Sequence, residues 1–219
     1  LGTKAVRKTS TSGWDLQDWH GDTGTQLVIE DLFYNVPVRK KFLKSAQTEY
    51  AYCYEIVQAI GLAHPYLAIK LIHNGKEKLS FFPTQEEHHL DKGEAIGESA
   101  LRARVEQLYE KELTSQLLYT YEKSRYGQLE ALISPPGVEK PSTKSMTCFV
   151  NGRWVKDKVI RYGFLRGYHS HLLKGRYPVV VGYLHMDPSL VDVNVHPSKT
   201  EVRFQYGEDV QGLIAQAVR

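Results

Sequence analysis

Alternating apolar and polar positions predict several strands along the 219-residue chain. The segment QLVIEDLF at 26–33 is expected to be a strand that Asn35 and Pro37 end. Two hairpins are expected at Asn74-Gly75 and Asn151-Gly152, because this dipeptide suits a two-residue primed turn between strands. The pattern predicts further strands at 116–136, where two are joined by a turn, at 177–188 and at 190–197.

Apolar residues at helical spacing predict the remaining elements. A helical region begins in VRKKFLKSAQ and ends at His64-Pro65, since the residue before a proline disfavours helix. Its expected apolar face consists of Cys53, Ile56, Val57 and Ile60. A helix at 96–113 is expected to turn four residues inward: Ile96, Leu101, Val105 and Leu108. Two later helices are predicted at 159–173, despite two glycines, and at 208–218.

The polar segment PTQEEHHLDKGEA at 83–95 lacks any apolar period and is the expected domain boundary. We therefore predict two domains, residues 1–90 and 91–219. Both mix helices with strands that join in hairpins, so the predicted fold class is α+β.

Composition and charge narrow the classes of function. The chain is 42% hydrophobic and 24% charged, typical of a globular protein, and no apolar run approaches a membrane span. Cys53 and Cys148 lie in no CxxC motif, so both are expected to be reduced core thiols of a cytosolic protein. Between Lys140 and Arg176, nine basic residues stand against one acid, although the whole chain carries only +3. This block indicates either a phosphate-facing surface or a solvated, lysine-rich face.

Several catalytic and metal-binding classes lack their motifs. The tripeptide at 22–24 matches an aspartic-protease DTG, but that site needs a strand running into the aspartate, whereas Trp19-His20-Gly21 precedes it here, and there is no second copy. The pairs His169/His171 and His88/His89 lack a third ligand, so no metal site is predicted. The sequence contains neither a Walker-type phosphate loop nor a nucleophile elbow.

Three long segments carry a specific resemblance: GTQLVIEDLFYNVPVRKKFLKS at 24–45, FVNGRWVKDK at 149–158 and VDVNVHPSKTEVRF at 191–204. In this order and spacing they resemble the MutL family of DNA mismatch-repair proteins, over residues 20–219. The departures from the family pattern are small: Val36, Val38 and Ser198.

The resemblance implies an architecture and a nucleotide site. Residues 1–90 would be the remnant of a GHKL (Bergerat) ATPase α/β sandwich, and residues 91–219 a transducer domain like ribosomal S5 domain 2. Gly24 and Thr25 match the family's nucleotide-contacting segment. Lys199 matches the lysine that meets the γ-phosphate of ATP, and Pro197 restricts the joint that carries it. ATP and Mg²⁺ are the cofactors that the family implies for the full-length protein.

Other family motifs do not occur in this chain. The general-base glutamate, the magnesium-binding asparagine, the DxGxG segment and the lid segment would all lie upstream. We therefore expect the chain to begin inside the ATPase domain, to hold no cofactor stably and to be inactive alone, although the family is a slow ATPase. The family's C-terminal dimerisation region is also absent, so dimerisation is an expectation for the full-length protein.

The resemblance also gives the basic block a partner. Four residues match a groove that contacts DNA without reading its sequence: Arg153, Lys156, Lys158 and Arg161. Further expected partners are mismatch-recognition and other repair proteins, in the cytoplasm and near the nucleoid if the source is bacterial, with no membrane partner. Two alternatives stay open: another GHKL machine such as a topoisomerase ATPase region, and a plain nucleic-acid-binding module.

Overall fold

The computed structural model describes residues 2–6, 15–19, 23–84, 95–193 and 200–219. These residues form two compact units, Leu1–Tyr52 and Cys53–Arg219, and each is described by itself. The expected domain boundary at 83–95 falls mostly on residues outside this description, so it stays a prediction.

The first unit begins with an antiparallel pair, β1 (Gly2–Val6) and β2 (Asp15–Trp19). The strand predicted at 26–33 is wrong, because residues 25–30 form no regular structure and find no sheet partner within the described residues. Asp31 and Phe33 have positive φ angles of 49° and 65°, which end any extended run. The apolar side chains of the segment, such as Leu27 and Ile29, are exposed.

The helical region predicted from VRKKFLKSAQ is present but divided. Helix α1 spans Pro37–Lys41, with proline at its first position, and α2 spans Ala46–Ala63. Ser45 separates them, since its Oγ accepts a hydrogen bond of 3.3 Å from the Thr48 N–H and starts α2. The predicted end at His64-Pro65 is confirmed.

The predicted apolar face of α2 is wrong. Cys53, Ile56 and Ile60 are exposed and Val57 is half-buried, whereas the buried residues of α2 are Ala59, Gly61, Leu62 and Ala63. Only the last turn of α2 packs into the second unit's core, so helical periodicity alone misplaced the face. Cys53 is thus not the expected core thiol. Cys148 is buried as predicted, and burial raises the pKa of its thiol to about 12.

Both Asn-Gly hairpins are confirmed. Strands β3 (Ile69–His73) and β4 (Lys76–Phe81) pair around Asn74 and Gly75, whose φ angles are 50° and 72°. The positive values are those of the primed turn that the dipeptide favours.

The second unit is built on a five-stranded mixed sheet. Its strands are β5 (Leu118–Ser124), β6 (Gly127–Ile133), β8 (Met146–Val150), β9 (Arg153–Val155) and β11 (Val180–His185). Their order in the sheet is β5-β6-β11-β8-β9, with β8 and β11 parallel and the other neighbours antiparallel. Two short antiparallel pairs join β7 (Glu139–Lys140) to β10 (Tyr177–Pro178) and β12 (Val191–Asp192) to β13 (Arg203–Phe204).

Helices cover both faces of this sheet. Helices α5 (Lys158–Tyr168) and α6 (Gly207–Val218) pack on one face, around Phe164 and Ile214. On the other face lie the end of α2 and α3 (Glu98–Glu106), with α4 (Lys111–Thr114) beside it. The predicted helix at 96–113 is thus two helices, and Leu101 and Val105 point inward as expected.

The two glycines of α5 allow it to approach α6 closely. A Cβ atom on Gly163 would lie 2.8 Å from the Ile214 Cβ, and one on Gly167 would lie 2.4 Å from the Val218 Cβ. A glycine costs a helix about 1 kcal/mol, and here the cost is offset by packing that no side chain would permit.

Buried polar side chains fix α3 in place. Glu130, on β6, accepts hydrogen bonds from the Ile96 and Gly97 N–H groups, at 2.7 and 2.6 Å, just before the helix begins. Arg104 is fully buried and donates to the carbonyl oxygens of His64 at 3.1 Å, of Leu67 at 2.9 Å and of Pro65. These bonds connect α3 to the chain between α2 and β3.

Candidate nucleic-acid interface

The hairpin turn between β8 and β9 is held rigidly to the end of β11. Asn151 and Gly152 have φ angles of 49° and 76°. The Asn151 side chain donates to the Met186 carbonyl oxygen and accepts from the Met186 N–H, both at 3.0 Å. This reciprocal pair fixes where β9 begins, and therefore where exposed Arg153 lies. The asparagine of the VNGR segment thus has a structural role.

The start of α5 presents the next cations. Asp157 caps this helix, because its carboxylate accepts hydrogen bonds from the Val159 and Ile160 N–H groups at 2.7 and 3.4 Å. Burial raises the pKa of Asp157, although hydrogen bonds from the backbone of Val159, Ile160 and Val202 oppose that shift. Lys158 is exposed at the first position of the helix, directly after this cap.

Two of the four predicted DNA-contacting residues are partly engaged within the chain. The Lys156 Nζ lies 2.8 Å from the Glu55 carboxylate and 4.4 Å from the centre of the Trp154 ring. The Arg161 guanidinium lies 5.4 Å from the Tyr162 ring centre. Arg153 and Lys158 form no ion pair within the described residues, so they are the free cations of the predicted set. No local pattern indicates the role of Glu55, which is 101 residues from its partner along the chain.

The residues expected at the nucleotide are only partly described. Gly24 and Thr25 are exposed in the first unit, and Lys199 lies outside the described residues. The chain directly after Lys199 is described: the Thr200 carbonyl oxygen accepts a 2.7 Å hydrogen bond from the Lys156 N–H. Asp157 interacts in turn with the Val202 N–H. Segments that are distant in sequence, 153–161 and 200–202, are therefore neighbours.

A shallow cavity of about 290 Å³ opens beside the β8–β9 turn. Its lining includes Asn151, His185 and Asp187, together with two cations of the β5–β6 hairpin, Lys123 near the end of β5 and Arg125 in the turn. These two cations lie outside the basic block that the sequence indicated. Their position beside Asn151 depends on the strand order.

Comparison with known proteins identifies the family. The sequence model described as "DNA mismatch repair protein, C-terminal domain" matches residues 105–219, more than half of the chain. The MutL protein of Streptococcus pyogenes serotype M12 is 34% identical over 196 residues. The chain belongs to the MutL family of DNA mismatch-repair proteins. The resemblance in the three motifs is thereby confirmed, and membership decides against the topoisomerase alternative.

The MutL relatives are longer than this chain. The match covers 90% of this chain and 28% of the S. pyogenes protein. The mismatch-repair protein HexB of Streptococcus pneumoniae serotype 4 is 31% identical over 195 residues, with 89% of this chain and 28% of HexB covered. The chain therefore spans under a third of the length of these relatives.

Solved structures confirm the predicted α+β fold. The "N terminal domain of a DNA repair protein" superposes with a TM-score of 0.60 at 19% identity, covering 84% of this chain and 56% of that one. The "Aquifex aeolicus MutL ATPase domain complexed with ADP" gives 0.51 at 23%, covering 85% and 55%. At these identities the likeness establishes the fold, which is that of MutL ATPase regions.

The described residues contain no group of three or more His, Cys, Asp and Glu side chains arranged to hold a metal ion. None of their helices is both long and apolar enough to cross a membrane.

Proposed function

We propose that this chain is the part of a MutL protein that couples ATP binding and hydrolysis to sequence-independent DNA binding and to recruitment of repair partners. The observation that carries the proposal is the hydrogen bond from the Lys156 N–H to the Thr200 carbonyl oxygen. It joins the predicted DNA-contacting segment to the chain immediately following Lys199. A displacement of one segment therefore has a direct route to the other.

The DNA side of the proposal rests on exposed positive charge. Arg153 and Lys158 are exposed and have no ion pair within the described residues, while Lys156 and Arg161 flank them. Lysine and arginine contacts to phosphates are independent of sequence, as required for a protein that meets arbitrary mismatches.

The nucleotide side rests on motif matches and on the ADP-bound relative. In the full-length protein Gly24 and Thr25 would contact the nucleotide, and Lys199 would meet the γ-phosphate of Mg²⁺-bound ATP. A charge pair at 4 Å in an effective dielectric near 20 amounts to about 4 kcal/mol before desolvation. Loss of the γ-phosphate would then release the segment around Lys199, which makes the arrangement a switch. The chain alone would neither hold the cofactor nor turn it over.

The remaining assignments concern the whole protein. Its partners would be mismatch-recognition and other repair proteins, with dimerisation through a region beyond this chain. Its place would be the cytoplasm, near the nucleoid in a bacterium.

Two measurements test the proposal. Arg153→Glu with Lys158→Glu should weaken the binding of random-sequence duplex DNA by the chain equally for all sequences, with Lys76→Glu and Lys78→Glu on β4 as the matched control. In the full-length protein, Lys199→Ala should lower ATP turnover more than tenfold, the effect of about 1.4 kcal/mol on the barrier. Nucleotide-free DNA affinity should hold. Unchanged turnover with lost DNA binding would overturn the coupling and leave a plain nucleic-acid-binding module.

A further inference from the structure

The β5–β6 hairpin carries two cations that the DNA-contacting set does not include: Lys123, near the end of β5, and Arg125, in the turn. Lys123 and Arg125 are exposed, and neither forms an ion pair within the described part of the chain. The Arg125 guanidinium stacks on the Tyr126 ring, with 4.7 Å to its centre, and donates to the Tyr126 hydroxyl at 2.6 Å. This contact holds the guanidinium in one place and leaves most of its five N–H donors for another acceptor.

The sheet places this turn and the VNGR turn at the same end. At the end of the sheet, Lys123 on β5 pairs with Gln128 on β6, and Gln128 pairs with His185 on β11. In the adjacent row, Leu184 on β11 pairs with Val150 on β8, and Val150 pairs with Arg153 on β9. The Asn151 side chain then ties the β8–β9 turn to Met186, beyond the end of β11. Both turns therefore border the cavity of about 290 Å³.

A glycine permits this close arrangement. A Cβ atom on Gly127 would lie 2.5 Å from the His185 carbonyl oxygen. Any larger residue would push the β5–β6 turn away from β11, and Lys123 and Arg125 with it. The close packing of Gly127 against β11 therefore sets the backbone position of the hairpin end that carries the two cations.

The charges around the cavity favour an anion. The charged or titratable groups of its lining are Lys123, Arg125, His185 and Asp187. The Asp187 carboxylate accepts a hydrogen bond of 2.8 Å from the Ser189 N–H, so it is turned toward its own backbone. Two cations therefore border the cavity together with one carboxylate that already has a donor.

The spacing matches a nucleic-acid backbone. From β5 to β9 the sheet has four strand-to-strand steps of about 4.8 Å, so the backbones at Lys123 and Arg153 are about 19 Å apart. Each strand of duplex DNA carries one phosphate per 3.4 Å of helix axis, so a duplex whose axis follows this line presents about five to six phosphates of each strand between the two turns. A single DNA segment would then meet both turns.

We propose that Lys123 and Arg125 form a second phosphate-binding site of the same DNA interface, at the far side of the sheet end from Arg153. The inference rests on the DNA-binding function proposed above. It predicts that the bound DNA runs across the strand ends from the β8–β9 turn to the β5–β6 turn. The ligand class is a polyanionic backbone, recognised by charge and without base contacts.

The test is the salt dependence of duplex binding by the full chain. For each lost phosphate contact, the slope of the logarithm of the binding constant against the logarithm of the salt concentration should become less negative by about 0.9. At 0.1 M salt this corresponds to a loss of roughly eightfold in affinity. Lys123→Ala with Arg125→Ala should therefore flatten the slope by about 1.8 and weaken binding about 60-fold. The charge-conserving pair Lys123→Arg with Arg125→Lys should retain most of the affinity.

The control removes the same charge elsewhere. Lys76→Ala with Lys78→Ala takes two exposed lysines from β4, outside the cavity lining, and should leave the slope near the wild-type value. Thermal unfolding of each variant shows whether it is folded. Binding by the Lys123/Arg125 variant at the wild-type slope, while Arg153→Ala weakens binding, would overturn this inference and leave the proposed function standing. No duplex binding by the wild-type chain would overturn both.

Discussion

The Lys156 ammonium lies 2.8 Å from the Glu55 carboxylate, so a residue of the predicted DNA-contacting segment is paired with a carboxylate of helix α2. Both side chains are substantially exposed, at 50% and 32%. An exposed pair of this kind contributes little to stability, typically below 1 kcal/mol. Under the proposed function, it places an internal carboxylate in competition with a DNA phosphate for the same ammonium.

The first prediction concerns this competition. Glu55→Gln should strengthen duplex DNA binding several-fold, because Lys156 no longer has to leave a carboxylate to meet a phosphate. The free energy of unfolding should change by less than about 1 kcal/mol. Titrations at two salt concentrations measure the effect. Glu77→Gln is the matched control, since it breaks the exposed Lys70–Glu77 pair of 3.0 Å on the β3–β4 hairpin. Equal effects of the two variants would show that only net charge matters.

The second prediction compares two helical glycines. Gly163→Ala should destabilise the protein by about 1–3 kcal/mol, because its Cβ would lie 2.8 Å from the Ile214 Cβ and overpack the α5–α6 contact. Gly212→Ala, in α6, meets nothing within 4 Å and should stabilise by up to about 1 kcal/mol through helix propensity. Urea unfolding of both variants gives the comparison. Stabilisation by both would show that α5 and α6 are further apart than described.

The third prediction concerns the buried guanidinium of Arg104. Arg104→Ala removes the donor to the carbonyl oxygens of His64, Pro65 and Leu67 and leaves a cavity beneath Phe81, whose ring centre is 4.9 Å away. The expected loss is about 3–5 kcal/mol of unfolding free energy. Glu106→Ala, at an exposed position of the same helix, is the control and should cost much less. A loss below 1 kcal/mol for Arg104→Ala would contradict the role given to it.

The fourth prediction concerns pH. Burial lowers the pKa of His185 below its ordinary value of 6.5, so the folded protein resists a proton that the unfolded chain accepts. Stability should therefore fall as the pH drops below about 6.5. His185→Gln should reduce that fall, and part should persist because burial also lowers the pKa of His64. Unfolding free energies at several pH values check this, with exposed His171→Gln as control. An unchanged pH profile in the His185 variant would refute the assignment.

Local signals in the sequence predicted the elements that depend on neighbours in the chain. The Asn74-Gly75 and Asn151-Gly152 turns were found because the dipeptide itself sets the backbone angles. The end of α2 was found because His64-Pro65 disfavours helix. The MutL motifs were recognised because each is a long segment with a specific amino-acid sequence.

Errors arose where the outcome depends on distant packing. The alternation at 26–33 predicted a strand, but a strand needs a paired neighbour, and the described chain supplies none there. The face of α2 was misplaced because only its last turn meets the core. At the candidate site, the contacts Glu55–Lys156 and Lys156–Thr200 join segments far apart in sequence, which no local pattern indicates.

Among the described residues, the order of the five strands leaves β5 and β9 at the edges of the sheet, where unpaired backbone groups can pair with a strand from another molecule. Strand β9 offers only three residues before Asp157 starts a helix. Strand β5 is seven residues long and exposes Leu118 and Tyr121, yet Glu122 and Lys123 follow on the same edge. Charged side chains there oppose edge-to-edge association. The charge of Lys123 therefore opposes aggregation through this edge of the sheet. Apolar replacements at this position would lower the solubility of the protein even where the fold is intact.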